Sequence, residues 1–299
     1  MRLGLCCQFK EVPIRFRTTT AAAMQRLGRA EALGRLSALC LANAEALLDT
    51  VAYCAEQGIG AFRINSQILP LRTHPAVGYG VRELPGAHAI VARFRAVGKK
   101  VAASDIRLSF HPDQFVLLSS PHEHVTEKSL AELDYQAEVA EWVGADVINI
   151  HGGGAYGDKQ EALDRLARNL ARLPDRVRTR LTLENDDVVY TPADLLPLCR
   201  REGVPLVYDV HHHRCRPDDC TVEVASELAA STWNREPLFH ISSPLEGWHG
   251  PKPRRHHDYI DPADVPPGWV GQAITVDIEA KAKEQAVLRL AAWLKAGRA

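Results

Sequence analysis

Eight apolar runs of strand length, each followed by a stretch with helical spacing, constrain this 299-residue chain more than any other feature. The runs are LGLCC from Leu3, AFRIN from Ala61, DIRLSF from Asp105 and DVINI from Asp146. RLTLE from Arg180, PLVYDV from Pro205, LFHIS from Leu238 and ITVDIE from Ile274 complete the set. Between them apolar residues recur every three or four positions, as in Leu41–Gln57, Leu130–Val143, the segment opening at Glu161 and the C-terminal AKAKEQAVLRLAAWLKA. Strands covered on both faces read as continuous apolar runs, and the helices covering them read as stripes. Eight such alternations predict a (β/α)8 TIM barrel. Residues 1–299 are expected to form one domain, because no linker, repeat or low-complexity tract divides them. A doubly wound open sheet shares the alternation, but no GxGxxG loop follows the first strand. Lys10 to Arg35 is the least regular part and reads as a long basic loop, with Lys10, Arg15, Arg17, Arg26, Arg29 and Arg35 against Glu11 and Glu31.

Composition narrows the class. A formal net charge of -1 announces no polyanionic partner from the whole surface, although a basic face can hide in a near-neutral sum. Seven cysteines, with Cys6 and Cys7 adjacent and no CxxC spacing, point to reduced thiols and a cytoplasmic location rather than a disulfide framework. No run of about 18 apolar residues and no signal-peptide pattern occur, so neither a membrane nor a protein partner is expected.

The strand ends carry the chemistry. The third run ends in His111, the fourth in His151, the fifth in Glu184 and the sixth in Asp209, with His212 three residues on. The seventh carries His240 and the eighth Glu279, while His74 and His256 stand in the loops after the second and seventh. Any one of these is an ordinary strand-end residue. Together they would be delivered to one mouth, because all barrel strands point their carboxyl ends the same way. So dense a group of imidazoles and carboxylates is costly unless cations neutralise it. The mixed donor set suits manganese or zinc better than magnesium, which prefers oxygen alone. Nine candidate ligands imply two or three divalent ions, with Glu184 and Glu279 as possible bridges. Closely spaced ions hold the attacking and leaving oxygens of a phosphoryl displacement, so phosphodiester hydrolysis is expected, with activation assigned to the metals because no side chain is an obvious general base. Sugar isomerisation uses the same residue types at barrel strand ends and is the enzymatic rival.

PLRTHP, RLSFHPDQFVLL, INIHGGGAYGDK, RLTLENDD, PLVYDVHHH, HISSP, HHDYID and DIEAKAKE follow one another from about Leu69 to Glu284. In this combination the chain resembles the UV damage endonuclease family, barrel enzymes related to endonuclease IV. The resemblance implies a manganese-dependent nick in damaged double-stranded DNA, 5′ to a cyclobutane pyrimidine dimer or 6-4 photoproduct, leaving 3′-hydroxyl and 5′-phosphate ends. Its metal ligands fall on His74, His111, His151, Glu184, Asp209, His212, His240, His256 and Glu279. Of these, Glu184, Glu279, His111 and His151 are taken as catalytic. His211 and His213 are left as supporting or surface residues. Gln114 matches a residue that the family inserts into the duplex at the lesion, and Asn185 and Asp186 are expected to orient ligands. Lys252, Arg254 and Arg255, with the basic loop near Arg15, are expected at phosphates.

Two positions depart from the pattern. Members often have Tyr after the first-strand Gly, where this chain has Leu5 after Gly4, and often Lys two residues before His240, where it has Leu238. These departures keep three alternatives open: an endonuclease IV-like abasic-site nuclease, a metal-dependent sugar isomerase, and a damage-binding protein that does not cleave.

Overall fold

The computed structural model describes residues 1–297, in which eight parallel strands close into a barrel in chain order. They are β1 (Arg2–Cys6), β2 (Ala61–Ile64), β3 (Arg107–Phe110) and β4 (Val147–His151), then β5 (Leu181–Glu184), β6 (Leu206–Asp209), β7 (Leu238–Ile241) and β8 (Thr275–Ile278). Each coincides with one of the eight apolar runs. β5 to β8 are buried along their whole length, which is why those runs show no polar face.

Local chemistry sets the helix ends. Asp158 accepts the Glu161 N–H at 2.9 Å and opens the helix Lys159–Leu170. Thr191 and Asp194 cap each other reciprocally ahead of Pro192 to open Pro192–Glu202. Lys159–Leu170 turns Ala162, Leu163, Leu166 and Leu170 toward the barrel as one stripe. Truncating the fully buried Leu166 to Ala should cost about 2–5 kcal/mol.

The helix Arg29–Gln57 is long and apolar enough to span a membrane, with a mean hydropathy of 1.3 over its most apolar window. It instead buries Leu36, Cys40, Leu47, Val51 and Cys54 and packs on the helix Ala87–Ser104 and on β2. That helix also corrects the expectation of a loop from Lys10 to Arg35. Thr20 caps a short helix Ala21–Gln25, Gly28 interrupts, and Arg29 already starts the long helix. The irregular part before it is tied down. The Glu284 carboxylate accepts the N–H groups of Lys10, Glu11 and Val12 at 2.7, 2.8 and 3.3 Å. Arg15 turns back on the carbonyls of Val12 and Ile14. All seven cysteines are free thiols.

Register decides what meets at each end of the barrel. At the carboxyl ends His151 pairs with Glu184, and Asp209 with His240. At the amino ends, Arg107 grips Asp146 through Nε and Nη2 at 3.0 and 2.8 Å, and Arg2 reaches Glu236 at 2.8 Å.

Candidate metal centre

Glu184 is the hub of the carboxyl end. It is fully buried at the tip of β5, and four imidazoles surround it. Its Oε2 lies 2.9 Å from His111 Nε2 and 4.0 Å from His151 Nε2. Its Oε1 lies 3.0 Å from His240 Nδ1 and 3.4 Å from His212 Nδ1. Two sets of potential ligand atoms result, His111–Glu184–His240 and His151–Glu184–His212. Glu184 is the one residue common to both sets. Glu279, just past β8, sits 3.5 Å from His240 and 3.8 Å from His256. Asp209 Oδ2 is 3.6 Å from His212 Nδ1.

The three consecutive histidines resolve into three jobs. Asp209 caps the short helix Val210–Cys215, accepting the His212 N–H at 2.7 Å. Successive side chains then point about 100° apart. His212 faces Glu184. His211 is buried against His256 and Trp248, with Nδ1 3.2 Å from the Ser242 carbonyl. His213 is buried between the Tyr208 hydroxyl at 2.7 Å and Asp218 at 3.0 Å. Both therefore support the site and neither is a surface residue. The same local logic separates His256 from His257. A bridge between Pro244 and His256 holds the loop after β7, so His256 faces Glu279 while His257 Nδ1 accepts the Tyr259 N–H at 3.0 Å.

Not every expected residue joins the hub. Among the described residues His74 belongs to neither ligand set. Its Nδ1 accepts the N–H groups of Ala76 and Val77 at 3.1 and 3.3 Å, and its ring lines a separate cavity of about 370 Å³. Asn185 touches two of the candidate ligands: its carbonyl is 3.0 Å from His212 Nδ1, and its side chain bonds both backbone groups of Asp209. Asp186 instead closes its own turn by accepting the N–H groups of Val188, Val189 and Tyr190. Gly153, after His151, takes φ 86, and a Cβ there would fall 2.2 Å from Ser119 Oγ, so the chain can leave β4 by this path only with glycine.

Electrostatics follow the crowding. Burial alone would raise the Glu184 pKa, but His240, His151, His111 and His212 hold it well below the usual carboxylate range. Burial would likewise raise that of Glu279, and Arg63 at 2.5 Å and His240 hold it down. His212 loses from burial yet is held well up by Asp209, Glu184 and Glu279. His240, similarly placed between Glu184 and Glu279, is pushed up to about 9. Asp209 Oδ2 and His151 Nδ1 are buried with no hydrogen-bond partner, which is rare for native polar atoms. Imidazole nitrogens and carboxylate oxygens with such orphaned atoms fit a divalent cation.

Several residues at this end were not legible as site residues. Arg63 looks like one polar break in β2, yet it is the counter-charge of Glu279. A cavity of about 400 Å³ opens there, lined by Arg63, Arg254, Arg255, Lys281 and Lys283 beside His256. Phe115, next to the exposed Gln114, has 72% of its surface exposed, and Tyr156 in the HGGGAYG loop 42%. Leu5 is fully buried, so β1 offers no ring to a ligand.

Known proteins share the sequence and the fold of this chain. A family model described as UV-endonuclease UvdE matches residues 1–298. The UV DNA damage endonuclease of Bacillus velezensis is 37% identical over 293 residues, covering 94% of this chain and 89% of the relative. The crystal structure of SacUVDE superposes with a TM-score of 0.87 at 26% identity, covering 100% of this chain and 99% of the other. Endonuclease IV from Thermus thermophilus shares the fold, with a TM-score of 0.64 at 18% identity, covering 99% of this chain and 100% of the other.

Proposed function

Because the chain belongs to the UV-endonuclease UvdE family, a family of nucleases, we propose that it nicks double-stranded DNA immediately 5′ to UV photoproducts, using manganese held at the barrel mouth. One observation carries the reading: Glu184 is shared by two pairs of imidazoles at hydrogen-bond to near-contact range. His111 and His240 would hold one ion and His151 and His212 another, with Asp209, Glu279 and His256 closing the set. His74 would complete it only if its ring turned away from the Ala76 and Val77 amides. Divalent ions at this position supply Lewis acidity to phosphate oxygens and make water a better nucleophile near neutral pH. Zinc or magnesium could serve in place of manganese, with the nitrogen-rich set favouring the softer ions.

The chain's own residues position the DNA. Arg254, Arg255, Lys281 and Lys283 line the cavity beside the ligands, where a phosphate chain would run. A net charge of -1 makes that local basic face a better argument for a polyanion than the whole surface is. Gln114 and Phe115 project from the loop after β3 and would enter the duplex at the lesion, where an aromatic ring compensates an unstacked step. This exposed ring supplies what buried Leu5 cannot. The chain acts as a single domain, its barrel lying within the described residues 1–297, in a reducing cytoplasm, consistent with seven free thiols.

The test is incision of a labelled duplex carrying one cyclobutane dimer, with manganese, beside undamaged and abasic duplexes. A single nick 5′ to the dimer, lost in Glu184→Gln, supports the proposal. Cleavage of the abasic duplex alone would move the substrate toward that of endonuclease IV. No cleavage of either with metal bound would end the nuclease reading for this chain.

A further inference from the structure

We propose that Asp277 is a positioning residue for the metal centre: its carboxylate accepts the Nε2–H of His240, which leaves the Nδ1 lone pair of that ring free for a divalent cation. The proposal rests on the metal-dependent reading above and concerns what lies beneath the ligands.

Asp277 is the third residue of β8, in register with Gly4 of β1 on one side and His240 of β7 on the other. It is 1% exposed, and neither carboxylate oxygen has a hydrogen-bond partner. A buried carboxylate without partners costs several kcal/mol, on the order of the penalty for any uncompensated buried ion, so an apolar residue would be the default there. The barrel also makes room for the group. A Cβ on Gly4 would fall 2.1 Å from Asp277 Oδ1, so glycine at this position is what lets the carboxylate occupy the interior.

His240 supplies the complementary vacancy. Its Nδ1 faces the ligand cluster, 3.0 Å from Glu184 Oε1 and 3.5 Å from Glu279 Oε1. Its Nε2 is buried, has no partner, and lies 3.7 Å from Asp277 Oδ2. A neutral imidazole that offers Nδ1 to a cation must carry its proton on Nε2, and ligating histidines nearly always donate that proton to a carboxylate, carbonyl or water. A closing movement of roughly 0.8 Å would turn the present separation into an ordinary hydrogen bond. β7 itself offers no acceptor from below. Leu238, two residues before His240, packs against Val147 and Val207 in a small apolar cluster. Arg107, nearby, is committed to Asp146 and Thr275. Asp277 is thus the acceptor that the ring lacks, and it enters from β8 where β7 offers only a hydrocarbon.

Two measurements test this. In protein labelled with 15N-histidine and loaded with zinc, proton–nitrogen correlation spectra read the tautomer of His240, assigned by comparison with His240→Gln. The expected result is a proton on Nε2, protected from exchange, with Nδ1 shifted by the metal. In parallel, manganese titrations by calorimetry compare the wild type with Asp277→Leu, which fills similar space but accepts nothing, and with Asp277→Asn, which retains an acceptor oxygen. Affinity should fall about 10–100-fold in Asp277→Leu and recover in part in Asp277→Asn. Equal manganese affinity in wild type and a folded Asp277→Leu would overturn the assignment while leaving the metal centre intact. A proton on Nδ1 in the loaded wild type would do the same, and that readout does not depend on any Asp277 variant folding. A wild type that binds neither metal would remove the metal-dependent reading and this inference with it.

Discussion

The two ends of the barrel use charge in opposite ways. At the amino ends Arg107, Arg235 and Arg2 each meet a carboxylate. Arg107 grips Asp146 through two nitrogens, Arg235 approaches the same carboxylate at 3.2 Å, and Arg2 holds Glu236, which also accepts from Thr275. At the carboxyl ends four imidazoles converge on one glutamate, and Asp209, His151, His240 and Asp277 keep buried polar atoms without partners. The first arrangement pairs its charges within the protein and serves stability. The second gathers imidazoles and carboxylates that fit a cation, at the end of a barrel where active sites are built.

The comparison can be broken most severely at its hub. Glu184→Gln should lower dimer incision on the order of 10³-fold or more while the protein stays folded, because the variant removes the one group common to both ligand sets. Circular dichroism beside the incision assay separates loss of chemistry from loss of fold. Manganese itself should raise unfolding free energy by about 2.7 kcal/mol at a hundred times its Kd, seen as a higher melting temperature that chelation reverses. The same addition to Glu184→Gln should give little or no shift.

A change at the opposite end should do the reverse. Arg107→Ala leaves Asp146 without its principal partner, a loss of about 2 kcal/mol after allowing for the partial exposure of that carboxylate. Its incision rate per folded molecule should match the wild type, and a deficit there would show that the ends are coupled. At the rim of the working end, Phe115→Ala should weaken binding to dimer-containing duplex by about 1 kcal/mol, with binding to undamaged duplex unchanged. Equal weakening of both would make Phe115 a general contact.

A further effect is a pH dependence confined to the metal-free protein. The His240 pKa is raised from 6.5 to about 9 by Glu184 and Glu279 despite burial. A raised pKa means the folded state binds the proton more tightly than the unfolded one. That stabilisation is fully present below 6.5 and is lost as pH rises through about 9. Urea midpoints of the metal-free protein should fall across this window. The manganese-loaded protein should not follow it, because the proposed ion would take the place of the Nδ1 proton of His240.

Much of this contrast is legible in the order of residues along the chain. Eight apolar runs became eight strands because strands covered on both faces tolerate almost no polar residue. His111, His151, Glu184, Asp209 and His240 stand out because a polar residue closing an apolar run is conspicuous, and one-directional strands bring such residues to one mouth. Helix starts are less legible: the extension of Arg29–Gln57 into the basic segment depends on Gly28 and on burial of Ala32 and Leu36, not on charge.

What the sequence by itself determined was the barrel, the direction of its strands and the residue types at their ends, since these follow from periodicity and strand polarity. Only the tertiary structure decided which of those residues meet. Register placed His151 beside Glu184 and Asp209 beside His240, and one helical turn sent three adjacent histidines to three different partners. Tertiary packing alone turned Arg63 toward Glu279 and set Asp277 in the space that Gly4 leaves open. Pairing across a barrel joins residues hundreds of positions apart, and no local pattern in a chain encodes a distance of that kind.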